Sequence, residues 1–327
     1  IRALFKSRGI TLIPGKGSLL SEDVVRSVQK DGTTQDIRCD RIIIATGSRP
    51  ARVAGFPFDG ESVMTSDDAV QLKNVPKHIL IIGAGVIGCE FACIYRSLGS
   101  AVTLVELLPR ALSTEDEDIS DIIERELKKA KITLITSASV VAIGKAAEGV
   151  VTASLSNGQE VKADAVLVSI GRSLNTEHLR LEDAGLVVGK RGEIPVNDHM
   201  ETNIPNIYAV GDVTGRIMLA HVASHQGLVA AENALGGDVR MDYASVPAGI
   251  FTRPEVGTVG LREHQAREQG IAVRVGRFPY RGLGKAHATG EITGLFKVIA
   301  DAATDRVLGV HICGARASDL VHEGALA

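Results

Sequence analysis

The stretch that most constrains this chain is His78-Ile-Leu-Ile-Ile-Gly-Ala-Gly-Val-Ile-Gly-Cys-Glu90, followed by the apolar run Val102-Thr-Leu-Val-Glu106. A buried strand that breaks on Gly83, Gly85 and Gly88, then an amphipathic helix and a second strand ending on an acid, is a βαβ unit with a mechanical use for each part. Gly83 permits the tight turn, Gly85 lets the backbone approach a pyrophosphate, and Gly88 lets helix pack on strand. The amides of Ala84, Gly85, Val86 and Ile87 open a helix N-terminus, where phosphate is favoured. Glu106 is placed to accept hydrogen bonds from a ribose 2′-hydroxyl, and its charge repels a 2′-phosphate, so NAD is expected over NADP. Arg110 lies nearby, but the acid at the strand end is expected to dominate.

The rest of the composition excludes more than it suggests. A net charge of −3 gives no general reason to bind nucleic acid or an anionic membrane. The absence of Trp and the shortage of other aromatics weigh against base-stacking platforms. No apolar run has the length of a membrane span, and a cytoplasmic setting is expected. The four cysteines, Cys39, Cys89, Cys93 and Cys313, do not form the pattern of a secreted disulfide framework. Cys89 and Cys93 share a helical face as small apolar residues. His221 and His225 are four apart, but no third ligand accompanies them and no metal is expected. The acid cluster Glu115-Asp-Glu-Asp118 reads as a solvated turn ahead of a helix.

Short strands and helices alternate along the chain, the mark of an α/β protein. Residues 9–44 read as strands broken by turns, with Asp31-Gly32 as a hairpin signal. Thr65 supplies a helix N-cap. A helix is expected over 119–131, then a strand over 133–135, a hairpin around Asn157-Gly158 and a buried parallel strand in Ala165-Val-Leu-Val-Ser-Ile-Gly171. The apolar strand Ile207-Tyr-Ala-Val-Gly-Asp212 delivers a second carboxylate to a strand end, and a long helix follows over roughly 219–235. From Val246 the pattern shifts to strands with few helices, ending in a helix that starts near Ala315.

These motifs together resemble one family, the pyridine-nucleotide disulfide oxidoreductases, and most closely its dihydrolipoamide dehydrogenase branch. The resemblance rests on Ile43-Ile-Ala-Thr-Gly-Ser-Arg-Pro50, the unit from Ile82 to Glu106, Val168-Ser-Ile-Gly-Arg172 with Asn175, and Thr202-Asn-Ile-Pro-Asn-Ile-Tyr-Ala-Val-Gly-Asp212. It continues through Met218-Leu-Ala-His221, Phe251-Thr-Arg-Pro-Glu255 and Gly309-Val-His-Ile-Cys-Gly314. It implies doubly wound, Rossmann-like FAD- and NAD-binding domains followed by an α+β dimerisation domain. The expected boundaries are the remainder of an FAD-binding domain over 1–70, an NAD-binding domain over 71–197, a return to the FAD-binding region over 198–245, and the dimerisation domain over 246–327.

The resemblance also implies roles. Asp212 matches the aspartate that bonds the ribityl chain of FAD, and Met218, Leu219, Ala220 and His221 match the segment that approaches the flavin. Gly47 belongs to the glycine turn beside the FAD domain, and Gly17 matches a backbone contact to the adenine end. Glu90 matches a glutamate near the flavin–nicotinamide junction, and Val140 and Gly171 match NAD contacts from neighbouring strands. The activity implied is oxidation of dihydrolipoamide with reduction of NAD+, on a homodimer, with a lipoyl-bearing protein or small dithiol as substrate.

Three family elements are absent. The sequence has no Cys-x-x-x-x-Cys redox pair and no His-Pro, the family's acid–base signature, and its first dinucleotide motif is missing too. No catalytic residue is therefore assigned within this chain, which reads as a fragment cut at both ends and inactive alone. A soluble transhydrogenase, another disulfide reductase of the same fold, and a non-catalytic NAD-binding or dimerisation module remain open as alternatives.

Overall fold

The computed structural model describes residues 1–145 and 149–327. Contacts divide the chain into two units, residues 1–49 with 172–242, and residues 50–171 with 243–327. The crossings at 49/50 and 171/172 differ from the boundaries drawn at 70/71 and 197/198. For the first difference the reason is local: the short strand Val63–Met64 pairs in parallel with Ala165–Val168 and so belongs to the second unit's sheet.

In the first unit an antiparallel meander runs through Lys16–Ser21, Val24–Val28 and Thr34–Arg38. Gly32, at φ +85°, makes the turn between the last two strands, as Asp31-Gly32 suggests. The apolar strand Ile42–Ile44 pairs in parallel with Ile207–Ala209. Their side chains pack with Leu19, Leu181, Leu186, Ile194 and Val213 into one core. Helix Ala220–Ala234 follows the second of these strands.

The second unit is built on a five-stranded parallel sheet ordered Val63–Met64, Ala165–Val168, His78–Ile82, Ala101–Val105, Thr133–Ile135. Its middle strand is apolar at every position after His78 because both faces are covered. Ile79, Leu80 and Ile81 have no exposed surface, each burial contributing roughly 1.5–3 kcal/mol. Strand order reverses beside His78–Ile82, where one successor lies on one side and Ala165–Val168 on the other. Such a switch point opens a crevice at the carboxyl ends of the strands.

Helices Val86–Ser97 and Glu117–Lys129 pack into this core. The latter begins two residues before the expected 119, because the Asp116 side chain caps it by accepting from the Asp118 amide. A second meander, Val140–Lys145, Val151–Leu155 and Glu160–Ala163, turns at Gly158 and packs on the sheet's other face. From residue 243 the chain forms a five-stranded antiparallel sheet ordered Ala248–Ile250, Glu255–Gly260, Val307–Gly314, Leu295–Asp301, Val273–Pro279, with helix Ala317–Leu326 against it. Ile250, Val256 and Cys313 join the apolar cluster of the parallel sheet, so this unit has a continuous interior.

Candidate functional site

The glycine turn after His78–Ile82 has three different steric requirements. Gly83 sits at φ +98°, where a Cβ would lie 2.6 Å from the Ser169 carbonyl oxygen. A Cβ on Gly88 would lie 1.8 Å from the Gly83 carbonyl, so helix and strand meet only because no side chain intervenes. Gly85 is different: its φ is −73° and a Cβ there would meet nothing within 4 Å. The protein itself does not need glycine at that position. The open space in front of Gly85 is what a ligand approaching the backbone requires.

Gly85 is the N-cap of helix Val86–Ser97, with no side chain capping it and no acid in the first turn. Those amides, with the positive end of the helix dipole, fit an anionic pyrophosphate. Glu106 follows strand Ala101–Val105 and accepts from the Ala84 amide at 2.6 Å and the Leu108 amide at 2.9 Å. Its carboxylate thus braces the glycine turn while standing at the strand end. Arg110 is ion-paired with Glu117 at 3.0 Å.

The other positions expected to meet NAD lie in the same unit. The backbone of Glu106 accepts from Ala138, two residues before Val140, at 3.0 Å. Gly171, at φ +125°, follows the neighbouring parallel strand, and its carbonyl accepts from Ala51 at 3.0 Å. Glu90, one turn into the helix, accepts from the Phe251 amide at 2.8 Å. Burial pushes the Glu90 carboxyl above its ordinary value, against the lowering effect of that amide. Sequence reasoning missed Ser169. Its hydroxyl donates to the carbonyls of Ile82 and Gly83 at 3.0 and 3.1 Å, tying two strand ends together under the turn. A lone serine after an apolar strand carries no pattern that marks it.

The positions carried over for FAD all fall in the first unit. Asp212 lies in a single 3-10 turn, Gly211–Thr214, just after strand Ile207–Ala209. Its carboxylate accepts from the Ser48 hydroxyl, and Arg172 reaches it at 3.5 Å while also donating to Ser48 at 2.6 Å. Both contacts to Asp212 use Oδ2, and its side chain keeps 23% of its surface exposed. Gly47 is left-handed at φ +66°, and Leu219 is the uncapped N-cap of helix Ala220–Ala234, with Met218 before it and His221 exposed in its first turn. Gly17 lies exposed in strand Lys16–Ser21, opposite Ser27. Ser48 and Arg172 were not singled out as partners of Asp212.

One expectation fails. Glu115-Asp-Glu-Asp118 is not a solvated turn: Glu115 is 5% and Asp116 1% exposed. Lys297, 2% exposed, lies 2.7 Å from Asp116, 2.6 Å from Asp118 and 2.7 Å from Glu263. Arg262 forks onto both oxygens of Glu115 at 3.0 Å. The signal was in the strand: in Leu295-Phe-Lys-Val-Ile, Lys297 shares a face with the buried Ile299, and a charge on a core-facing position must be paired.

Cys89 and Cys313 are buried free thiols, which burial pushes to high pKa, Cys313 to about 12. Such thiols are inert. Among the described residues no group of His, Cys, Asp and Glu could hold a metal ion, and no helix is long and apolar enough to cross a membrane.

Residues 1–227 match the family described as pyridine nucleotide-disulphide oxidoreductase, and residues 246–327 match its dimerisation domain. A dihydrolipoyl dehydrogenase of Chlamydia muridarum is 42% identical over all of this chain and 70% of its own length. The mitochondrial dihydrolipoyl dehydrogenase of Bos taurus is 39% identical over all of this chain and 65% of its own. Among solved structures, LpdA from Mycobacterium tuberculosis superposes with a TM-score of 0.93 at 30% identity, covering 99% of this chain and 72% of that one. The Cu(II) complex of the HOCl-induced flavoprotein disulfide reductase RclA from Escherichia coli superposes at 0.89 and 29% identity, over 97% of this chain and 72% of that one.

Proposed function

This chain belongs to the pyridine nucleotide-disulphide oxidoreductases, and from that premise we propose that its function is that of an FAD-dependent, NAD-linked dihydrolipoyl dehydrogenase, transferring electrons from dihydrolipoamide to NAD+. The observation that carries the reading is Gly85: a glycine without a neighbour to accommodate, at an uncapped helix N-terminus, beside an acid that favours NAD.

The residues divide by cofactor. Gly83, Ala84, Gly85, Val86, Ile87 and Gly88 present backbone to the NAD pyrophosphate, Glu106 takes the adenine ribose, and Val140 and Gly171 line the crevice. Glu90 holds the Phe251 backbone near the nicotinamide end. Asp212, fixed by Ser48 and Arg172, accepts from the ribityl hydroxyls of FAD. Met218, Leu219, Ala220 and His221 bring a helix N-terminus to the flavin, and Gly47 and Gly17 give backbone room. When bound, flavin and nicotinamide supply the two-electron chemistry, and the protein supplies their placement.

Homodimerisation through residues 246–327 is supported by the matched domain and by the exposed Phe251 and Leu320 on this part of the chain. A lipoyl-bearing protein is the implied substrate. The free thiols fit a reducing compartment such as a cytoplasm. A second reading has its own observation: with neither Cys-x-x-x-x-Cys nor His-Pro in its 327 residues, this polypeptide alone serves as a non-catalytic NAD-binding and dimerisation module.

Calorimetric titration with NAD+ and NADP+, alongside a flavin absorbance scan of the purified chain, tests both. NAD+ binding with NADP+ clearly weaker is expected. Failure to bind either nucleotide, with the chain folded, would sink the assignment. Dihydrolipoamide-dependent NADH formation by this chain alone would instead remove the second reading.

A further inference from the structure

Lys297 is a buried cation that the proposed reaction does not use. It stands in strand Leu295–Asp301 of the C-terminal sheet, yet two of its three acids, Asp116 and Asp118, open helix Glu117–Lys129 of the nucleotide-binding fold. Asp116 also accepts from the Glu263 amide at 3.2 Å and caps its own helix. Removing a lysine and several carboxylates from water is costly, and an apolar cluster of equal volume is commonly as stable. What the charges give is direction, since every partner has a fixed geometry.

That direction continues to the glycine turn. Ser120, fully buried in the first turn of the capped helix, donates to the Leu112 carbonyl at 2.9 Å. Leu112 is fully buried and left-handed at φ 49°, a conformation that costs a leucine energy unless its surroundings impose it. Its amide donates to the Ala84 carbonyl at 2.8 Å. Ala84 is the middle residue of the Gly83-Ala-Gly85 turn, and its amide is held by Glu106. The tilt of this peptide sets where the Gly85 and Val86 amides point.

We infer that Lys297 is a positioning residue for dinucleotide binding, acting through the Asp116 cap, Ser120 and Leu112 on the peptide at Ala84. The dimerisation domain thereby sets the geometry of a loop in the NAD-binding fold. This rests on the NAD reading above.

The test compares Lys297→Met and Ser120→Ala with the unaltered chain, all loaded with FAD, by NAD+ calorimetry, thermal unfolding and flavin content. Energetic coupling along such networks supports an expected rise in the NAD+ Kd of about five- to tenfold for Lys297→Met and about threefold for Ser120→Ala. Flavin content and its absorbance spectrum stay unchanged. A merely structural role would lower the melting temperature and leave the Kd alone, so folded variants that bind NAD+ within about twofold of the original overturn the inference. Ser120→Ala removes one hydroxyl and no charge, and it decides the matter if Lys297→Met does not fold. If the unaltered chain fails to bind NAD+, the functional reading falls first and takes this one with it.

Discussion

At the scale of single residues, the three glycines of the turn separate folding from binding. Gly88→Ala drives a methyl group into the Gly83 carbonyl, and a destabilisation of about 3 kcal/mol is expected in urea unfolding. Gly85→Ala meets open space at an ordinary φ. Its stability should change by less than about 1 kcal/mol, while NAD+ affinity drops by roughly an order of magnitude because the pyrophosphate approach is blocked. Equal NAD+ affinity in Gly85→Ala would show that the open space is not the ligand's. Glu90→Gln keeps an acceptor for the Phe251 amide and removes a charge that burial disfavours, so its melting temperature should match or exceed the original. All three glycines were legible as a motif in the sequence, because each follows from a backbone rule. Ser169, Ser48 and Arg172 also lie in quoted motifs, but their contacts were not legible, because what fixes each is a neighbour distant in sequence.

At the scale of elements, the strands and helices were largely readable from periodicity and caps, and the departures have identifiable causes. Helix Glu117–Lys129 starts early because its cap is Asp116, whose carboxylate is shared with a lysine from another sheet. An acid run looks the same in sequence whether water or Lys297 faces it. The difference has a consequence for acid stability. Burial works to raise Asp118, but bonds from Lys297 and Arg277 prevail and hold it below the ordinary range. The Lys297 bond holds Glu263 down in the same way. A carboxylate depressed in the folded state stabilises it above the unfolded value of ~4 and loses that contribution as pH falls through the lower folded value. Unfolding free energy should therefore decline from about pH 5 downward. Glu263→Gln should flatten part of that slope, and a variant with an unchanged slope would show that these acids do not carry it.

At the scale of the whole molecule, the expected cofactor residues sort cleanly. Positions carried over for FAD (17, 47, 212, 218–221) fall in one contact unit and those for NAD (83–88, 90, 106, 140, 171) in the other. Hydrogen exchange with each cofactor added separately should follow that division. NAD+ is expected to slow exchange at the Gly83–Gly88 turn and around Glu106, and FAD to slow it around Asp212 and the start of helix Ala220–Ala234. Protection by NAD+ centred on Asp212 would contradict the assignment. Alternating elements revealed the fold class, but the crossing at 49/50 was hidden, because the two-residue strand Val63–Met64 is too short to announce its sheet.

The parallel pairing of Ile42–Ile44 with Ile207–Ala209 has a bearing on how the chain is made. A ribosome releases the first strand long before its partner exists, and closing so long a loop between disordered ends is slow. The intervening residues contain all five strands of the parallel sheet, and pairing these first can shorten that loop. The unit of residues 1–49 and 172–242 is then completed only after that sheet has paired. Nascent chains arrested soon after residue 171 emerges should already resist protease across the paired strands 78–82, 101–105, 133–135 and 165–168, while 42–44 stays cleavable until its partner strand is released.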